Sequence, residues 1–314
     1  MALTGNQMDL FEASMPRLKA IAYRLLGSAS DAEDAVQDTF LRWQAADIDR
    51  IEIPEAWLTK VLTNLCLNEL TSARARRETY VGQWLPEPLL AGDSMLGPAD
   101  TVEQRESVSF AVLALMERLS PNERVVYVLR EAFAYPHGRI AEILDTTESA
   151  SQQLFHRAKG HIAAGRTRTE IDEAAARRIV EEFLTAATNG RTEPLVQLLT
   201  ADAVAIGDGG GKVPARAKAF EGAIAVARFI RGLFTPSKAK RALAGGSPAI
   251  HVTTANGGPA VVVVVEDRVI GVMCMEVSTD GIAAFYSQVN PDKLERANRH
   301  WAATDHGEPL FHAF

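Results

Sequence analysis

Apolar residues recur at helical spacing through the first part of the chain. Leu18, Ile21, Ala22 and Leu25 repeat at i, i+3, i+4, i+7, and Ala32, Val36, Phe40 and Trp43 form a second stripe. Gly27 between them reads as a stop, with Ser30 as the N-cap of the second helix and Glu33 completing a capping box. After a polar break containing Pro54, residues Leu58, Val61, Leu62 and Leu65 predict a third helix that runs into Arg74, Arg76 and Arg77. No such helix can bury its stripe alone, so the three are expected to pack as a small bundle. The stretch 82–100 holds Pro86, Pro88, Gly92, Gly97 and Pro98 without a period, and it reads as a linker.

Helical spacing returns with Val108, Val112, Leu115 and Leu119. Ser120-Pro121-Asn122-Glu123 then starts a new helix with an N-cap, a proline at the first position and a capping-box glutamate. A short helix with Ile140, Ala141 and Leu144 follows Pro136. After Asp145-Thr146-Thr147 comes a longer one that buries Ser151, Leu154, Phe155, Ala158 and Ile162. This is the plan of a helix-turn-helix. Beyond Thr169 the pattern changes to a helix over 173–188, the run Gly209-Gly210-Gly211, a helix near 223–234, and strands around 249–254, 260–266, 269–277 and 282–289. Asn256-Gly257-Gly258, Glu266-Asp267-Arg268 and Thr279-Asp280-Gly281 are separators of hairpin length. Helices followed by an antiparallel meander indicate a separate α+β domain.

A length of 314 residues leaves room for two or three folded units. With 47% hydrophobic and 23% charged residues the composition is that of a globular chain, and the longest apolar run, 260–265, is far short of the ~18 residues of a bilayer span, so no membrane partner is expected. Residues 1–9 lack a basic start and an apolar stretch, which argues against secretion. The two cysteines, Cys66 and Cys274, lie in apolar runs, so buried thiols in a reducing cytoplasm are expected, with no metal or other cofactor. The net charge is −7, and residues 1–170 carry 18 Lys and Arg against 24 Asp and Glu. Tight DNA binding by the chain alone would call for a basic balance. Any nucleic-acid role must come from local patches or from a large partner.

Two segments, Arg17-Leu18-Lys19-Ala20-Ile21-Ala22-Tyr23-Arg24-Leu25-Leu26-Gly27-Ser28 and Asp31-Ala32-Glu33-Asp34-Ala35-Val36-Gln37-Asp38-Thr39-Phe40-Leu41-Arg42-Trp43, resemble the polymerase-binding helices of extracytoplasmic-function sigma factors. Leu119-Ser120-Pro121-Asn122-Glu123-Arg124 and His156-Arg157-Ala158-Lys159 resemble the second DNA-binding domain of that family, so the likeness covers about 8–162. Asp208-Gly209-Gly210-Gly211-Lys212-Val213 and Asn290-Pro291-Asp292-Lys293-Leu294 resemble the subgroup with a fused SnoaL-like domain. The expected fold is multidomain: a region 2 helical bundle over 8–80, a linker over 81–105, a region 4 helix-turn-helix over 106–165, a SnoaL-like α+β cone with a curved antiparallel sheet over 171–300, and a tail over 301–314.

The resemblance implies a transcription initiation factor that directs core RNA polymerase to promoters and is monomeric when free. Asp31, Glu33, Asp34, Asp38 and Phe40 would dock on the polymerase β′ and β subunits, although on residues alone this acidic ridge is also what a solvated helix face looks like. Lys60, Asn64 and Asn68 at i, i+4, i+8, leading into Arg74, Arg76 and Arg77, would capture the melted minus-ten strand, amides meeting bases and cations meeting phosphates. Glu148, Gln152, Gln153, His156, Arg157 and Lys159 would face promoter DNA at the minus-thirty-five element. Family members commonly carry a basic residue in place of Gln152 and a larger apolar one in place of Ser151. Asp208, Gly209, Gly210, Gly211 and Lys212, with Asn290, Pro291, Asp292 and Lys293, would form a regulatory surface acting in cis. The cone leaves room for a small-molecule ligand. A regulator that binds DNA without polymerase is the alternative, and an enzyme would need His251, Asp202, Glu276 and Tyr286 to cluster.

Overall fold

The apolar stripe of the first segment belongs to a longer helix, α1 (Gly5–Leu26), which buries Phe11, Leu18, Ile21, Tyr23 and Leu25. The computed structural model describes residues 5–77, 79–97, 102–164, 171–216 and 218–313, apart from the side chains of 73–77 and 102. It divides into two compact units, one of Met1–Thr79 with Gly92–Arg166 and one of Tyr80–Ala91 with Thr167–Phe314. Residues 80–91, half of the stretch that reads as a linker, therefore belong to the second unit.

In the first unit Gly27, at φ +67°, turns the chain into α2 (Ala29–Ala45). The N-cap is Ser28 and not Ser30. Ser28 has extended backbone and its hydroxyl accepts the Asp31 N–H at 3.2 Å, while Ser30 already lies inside the helix. Helix α3 (Pro54–Arg77) completes the bundle, its buried Leu58, Leu62, Cys66 and Leu70 spaced by four. The stripe that begins at Val108 makes two short helices, α4 (Val102–Val108) and α5 (Phe110–Met116). Ser109 leaves the helical region and caps α5 by accepting the Val112 N–H. The capping box at α6 (Pro121–Tyr127) forms as its residues predict: Ser120 N–H and Oγ–H donate to Glu123 Oε2 at 2.9 and 2.8 Å. A π turn, Val128–Ala132, leads to α7 (His137–Ile143). Asp145 at φ +49° then makes the tight turn to α8 (Glu148–Ala164).

The second unit is a mixed seven-stranded sheet with helices. Its elements are α9 (Glu173–Thr188), α10 (Glu193–Gln197), β1 (Leu199–Asp208), β2 (Phe220–Glu221), α11 (Ala223–Phe234), α12 (Lys238–Ala244), β3 (Ala249–Ala255), β4 (Gly258–Val265), β5 (Arg268–Ser278), β6 (Gly281–Gln288), α13 (Glu295–Ala303) and β7 (Phe311–His312). The strand order is β2-β1-β6-β5-β4-β3-β7. Strands β3 to β6 form the antiparallel meander that the turn signals predict, with Asn256 and Gly257 both at positive φ in the β3–β4 turn. One pairing departs from the antiparallel expectation, because β1 lies parallel to β6, which follows it only after β2, α11, α12 and the strands β3 to β5. Val180, Phe183 and Leu184 of α9 and Val226, Ile230 and Phe234 of α11 cover one sheet face, packing on Ala203, Ile250, Val261, Met273 and Phe285. The tail is ordered as α13 and the edge strand β7, which pairs with β3 through Ala249 and Ile250.

Candidate nucleic-acid interface and a buried clamp

In the first unit Asp34 and Asp38 are exposed on α2 and Asp31 and Glu33 are half-buried, so the acidic ridge points outward. Phe40 does not join them. Its ring packs on Phe11, centroid to centroid 4.8 Å, and contributes to holding α2 against α1. Leu41, 53% exposed, continues the row Asp34–Asp38–Leu41 and is the residue on this face that hydrophobic counting alone passes over.

On α3, Asn68 is exposed and Lys60 and Asn64 are half-buried. Lys60 is already engaged: its Nζ donates to Glu142 O at 2.7 Å and to Asp145 Oδ1 at 3.0 Å, at the helix-turn-helix corner. Arg74, Arg76 and Arg77 end the helix, and their side chains lie outside the described ones. Thr59 Oγ1 and Tyr135 Oη share a hydrogen bond at 3.1 Å. Two fully buried arginines that the sequence did not single out tie the bundle to the later helices. Arg24 Nε donates to Ser107 Oγ at 2.9 Å and its guanidinium lies over Phe133, while Arg124 pairs with Glu117 at 2.5 Å and reaches Arg24 O at 3.5 Å. Burial lowers both guanidinium pKa values, to about 10 for Arg24 and about 9 for Arg124.

On α8 the six expected contact residues, Glu148, Gln152, Gln153, His156, Arg157 and Lys159, are all exposed, and Gln152, Gln153, His156 and Arg157 line one open groove with Ser149. The two cations have carboxylates of their own. Arg157 Nε lies 3.5 Å from Glu123 and Lys159 Nζ 3.1 Å from Glu131. Burial raises the Glu123 carboxyl, but the two Ser120 donors together with His161 and Arg157 bring it net below the usual range. Ser151 is fully buried and its Oγ lies 3.0 Å from His137 Nδ1. A polar pair thus links α7 to α8 at this position.

In the second unit the two motifs that the resemblance marks as regulatory come together around residues 80–91. Asp208 is fully buried and its carboxylate accepts from Tyr80 Oη at 2.6 Å, Leu85 N at 2.9 Å, Gly210 N at 3.0 Å and Lys293 Nζ at 2.7 Å. Lys293 also donates to Leu85 O at 2.7 Å and lies 4.1 Å from the Trp84 ring centroid. Gln288 Nε2 donates to Pro86 O at 3.1 Å, and Asn290 Nδ2 to Tyr80 Oη at 3.0 Å. Burial, and then the hydrogen bond to Asp208, push the Tyr80 hydroxyl up, so it stays a donor. Further along, Leu89 exchanges hydrogen bonds with Asn256, Ala91 N donates to Thr254 O at 3.0 Å, and His300 Nε2 meets Ala91 O at 2.9 Å. Gly209 and Gly210 are required: a Cβ on Gly209 would lie 2.0 Å from Val213 O, and one on Gly210 2.3 Å from Asn290 Nδ2. Lys212 and Asp292 make a separate exposed pair at 2.7 Å. Pro291 opens the short turn before α13.

Three of the four acid–base candidates share a sheet face. Strand register puts His251, Glu276 and Tyr286 on one sheet face, while Asp202 is exposed on β1. His251 packs against Trp301 and His306, with ring centroids at 5.0 and 5.4 Å. Burial pushes both cysteine thiols up, which leaves them unreactive.

An acidic helix face joined to a helix-turn-helix unit defines a class, and comparison identifies it. Residues 10–76 match Sigma-70 region 2 and residues 109–162 match Sigma-70, region 4. The chain is 41% identical over 228 residues to the ECF RNA polymerase sigma factor SigJ of Mycobacterium tuberculosis, covering 72% of this chain and 73% of that one. It belongs to the extracytoplasmic-function (ECF) RNA polymerase sigma factors. The probable ECF RNA polymerase sigma factor SigI of the same species is 36% identical over 185 residues, 57% of this chain and 62% of the relative. The crystal structure of M. tuberculosis SigJ superposes with a TM-score of 0.71 at 32% identity, covering 91% of this chain and 98% of that one. No helix among the described residues is long and apolar enough to cross a membrane.

Proposed function

We propose that this chain directs core RNA polymerase to promoters and is regulated in cis by its C-terminal unit. Residues 8–80 act as region 2, 106–165 as region 4 and 171–300 as the regulatory domain. Asp31, Glu33, Asp34 and Asp38, with Leu41 at the end of the row, meet a basic surface of the polymerase. Asn64 and Asn68 hydrogen-bond unstacked minus-ten bases with Arg74, Arg76 and Arg77 on phosphates, and Gln152, Gln153 and His156 read the minus-thirty-five groove. The observation that carries the promoter reading is the presence of both sigma regions in one chain, each with its polar face outward. Family membership is that of a factor acting by binding, and co-purification with core polymerase separates this reading from a regulator independent of it.

The cis regulation is supported by the Asp208 clamp, because the segment it grips, 80–91, is the one that joins region 2 to region 4. While Leu85 and Tyr80 are held, the connection between the two reading domains has lost part of its freedom. In vitro transcription with purified core enzyme tests the whole reading, comparing the full chain with chains cut near Thr169 and just before Asn290. Promoter-specific transcripts from the full chain or either truncation support the initiation role, and equal output from all three removes the regulatory one.

A further inference from the structure

Between Glu221 and Glu266 the chain has no Asp or Glu, yet it carries Arg228, Arg231, Lys238, Lys240 and Arg241 in a protein of net charge −7. All five lie on α11 and α12. Helix α12 buries none of its residues. It is held by its Ser237 cap and by Lys240, whose Nζ donates to Gly232 O and to Thr235 O (2.7 Å), filling acceptors that the last turn of α11 leaves open. Arg231 donates to Thr192 Oγ1 at 2.9 Å. Arg228, Lys238 and Arg241 are exposed, and none makes an ion pair among the described residues. With no carboxylate on the flanking sequence, these cations add to one positive field instead of cancelling.

We propose that this α11–α12 surface docks the phosphate backbone of duplex DNA without regard to sequence, through Arg228, Lys238 and Arg241. The choice of duplex DNA rests on the promoter reading above. Two observations support it. Arg157 and Lys159 of the recognition helix are already paired with Glu123 and Glu131, and residues 1–170 carry more acid than base, so that part of the chain offers phosphate no net positive field. A lipid surface fits less well, because α12 is seven residues long with Leu243 as its single large apolar side chain.

The test uses the full-length chain without polymerase, measuring fluorescence anisotropy of a labelled duplex of arbitrary sequence across a salt titration. The triple variant Arg228→Glu, Lys238→Glu, Arg241→Glu is compared with wild type and with the same three positions changed to Gln. Three lost phosphate contacts make the slope of log K against log salt shallower by about 2 to 3 and weaken low-salt binding at least about tenfold, with the Gln variant between. Equal slopes and affinities in all three proteins overturn the proposal. So does wild-type binding to phosphatidylglycerol vesicles, lost in the variant, with no binding to the duplex. Core-polymerase co-purification on the same proteins keeps the two readings apart: a wild type that fails to bind core removes the initiation role and leaves the slope result intact.

Discussion

Replacing Asp208 by asparagine should release residues 80–91 while the second unit stays folded. The segment gains the hydrogen bonds of Tyr80, Leu85, Pro86, Leu89 and Ala91, on the order of 10 kcal/mol at about 1 kcal/mol each. Burial of Leu85, Leu89 and Leu90 adds about 2 kcal/mol per side chain. Against this stands the ordering of the backbone from Tyr80 to Ala91, about 1 to 1.5 kcal/mol per residue and less at Pro86 and Pro88. The terms cancel to within a few kcal/mol, so the docked segment sits close to balance. The substituted amide would keep one acceptor but leave the Lys293 ammonium, 11% exposed, without its counter-charge, and breaking one side of such a pair costs about 3–5 kcal/mol. That exceeds the margin and corresponds to at least about a hundredfold shift toward the released form. Hydrogen exchange by mass spectrometry on the full chain reads this directly: peptides spanning 80–91 should lose about two decades of protection while those of β4 and β5 keep theirs. Unchanged protection over 80–91 in a folded Asp208→Asn protein would refute the reasoning.

Lys212→Glu breaks a pair whose partners are both more than half exposed, so protection of 80–91 should change by under about 1 kcal/mol, and a larger loss would assign the exposed pair a role in the clamp. Replacing the exposed Asp34 and Asp38 by Lys should weaken the pull-down of core polymerase at unchanged thermal midpoint, because exposed charges cost little stability; undiminished pull-down removes that face from docking. Burial first, then the charges of His306 and His312, lower the His251 pKa below its ordinary value of 6.5, with a hydrogen bond to the His306 backbone and the charge of Glu308 opposing. A depressed histidine stabilises the docked tail above pH 6.5, and that contribution is lost as the pH falls from 6.5 toward the lowered value, so exchange at Leu310 and Ala313, corrected for intrinsic rates, should rise in mild acid in wild type and not in His251→Leu. His137→Ala should leave buried Ser151 Oγ without its partner and lower stability by about 1–3 kcal/mol, measured by urea midpoint, with Ser151→Ala restoring part of it.

The elements legible in the sequence were those set by local signals. Ser120 and Glu123 sit three residues apart and form their box from neighbours alone, and α9 and α11 show their stripes without help from the rest of the chain. Strand β1 was not legible, because a register shift between Leu199 and Val204 breaks its alternation and its partner β6 arrives some eighty residues later. The docked segment was read as a linker from its prolines and glycines. Trp84, Leu85, Leu89 and Leu90 are the contrary signal, but their partners stand 123 to 209 residues further along, where no periodicity reaches. The motif residues were visible as chemistry, whereas which of them pair was not: Asp208 with Lys293 inside, Lys212 with Asp292 outside. The acidic ridge and the α8 face were visible as polar stripes, and the paired state of Arg157 and Lys159 was set by α6 and the π turn, which no count on α8 includes.

The segment 80–91 and the Asp208 clamp that holds it lie on one chain, joined through region 4. Clamp and ligand of the clamp are thus parts of one molecule, and their encounter is unimolecular. The proposed restraint would not depend on how much protein the cell makes, would not be titrated by overproduction, and would re-form after each release unless something else occupied the segment first. Polymerase binding to the stretch between regions 2 and 4 would be such an occupant, so the restraint would act as competition for residues 80–91, with its strength set by the chemistry around Asp208 and not by the abundance of a second protein.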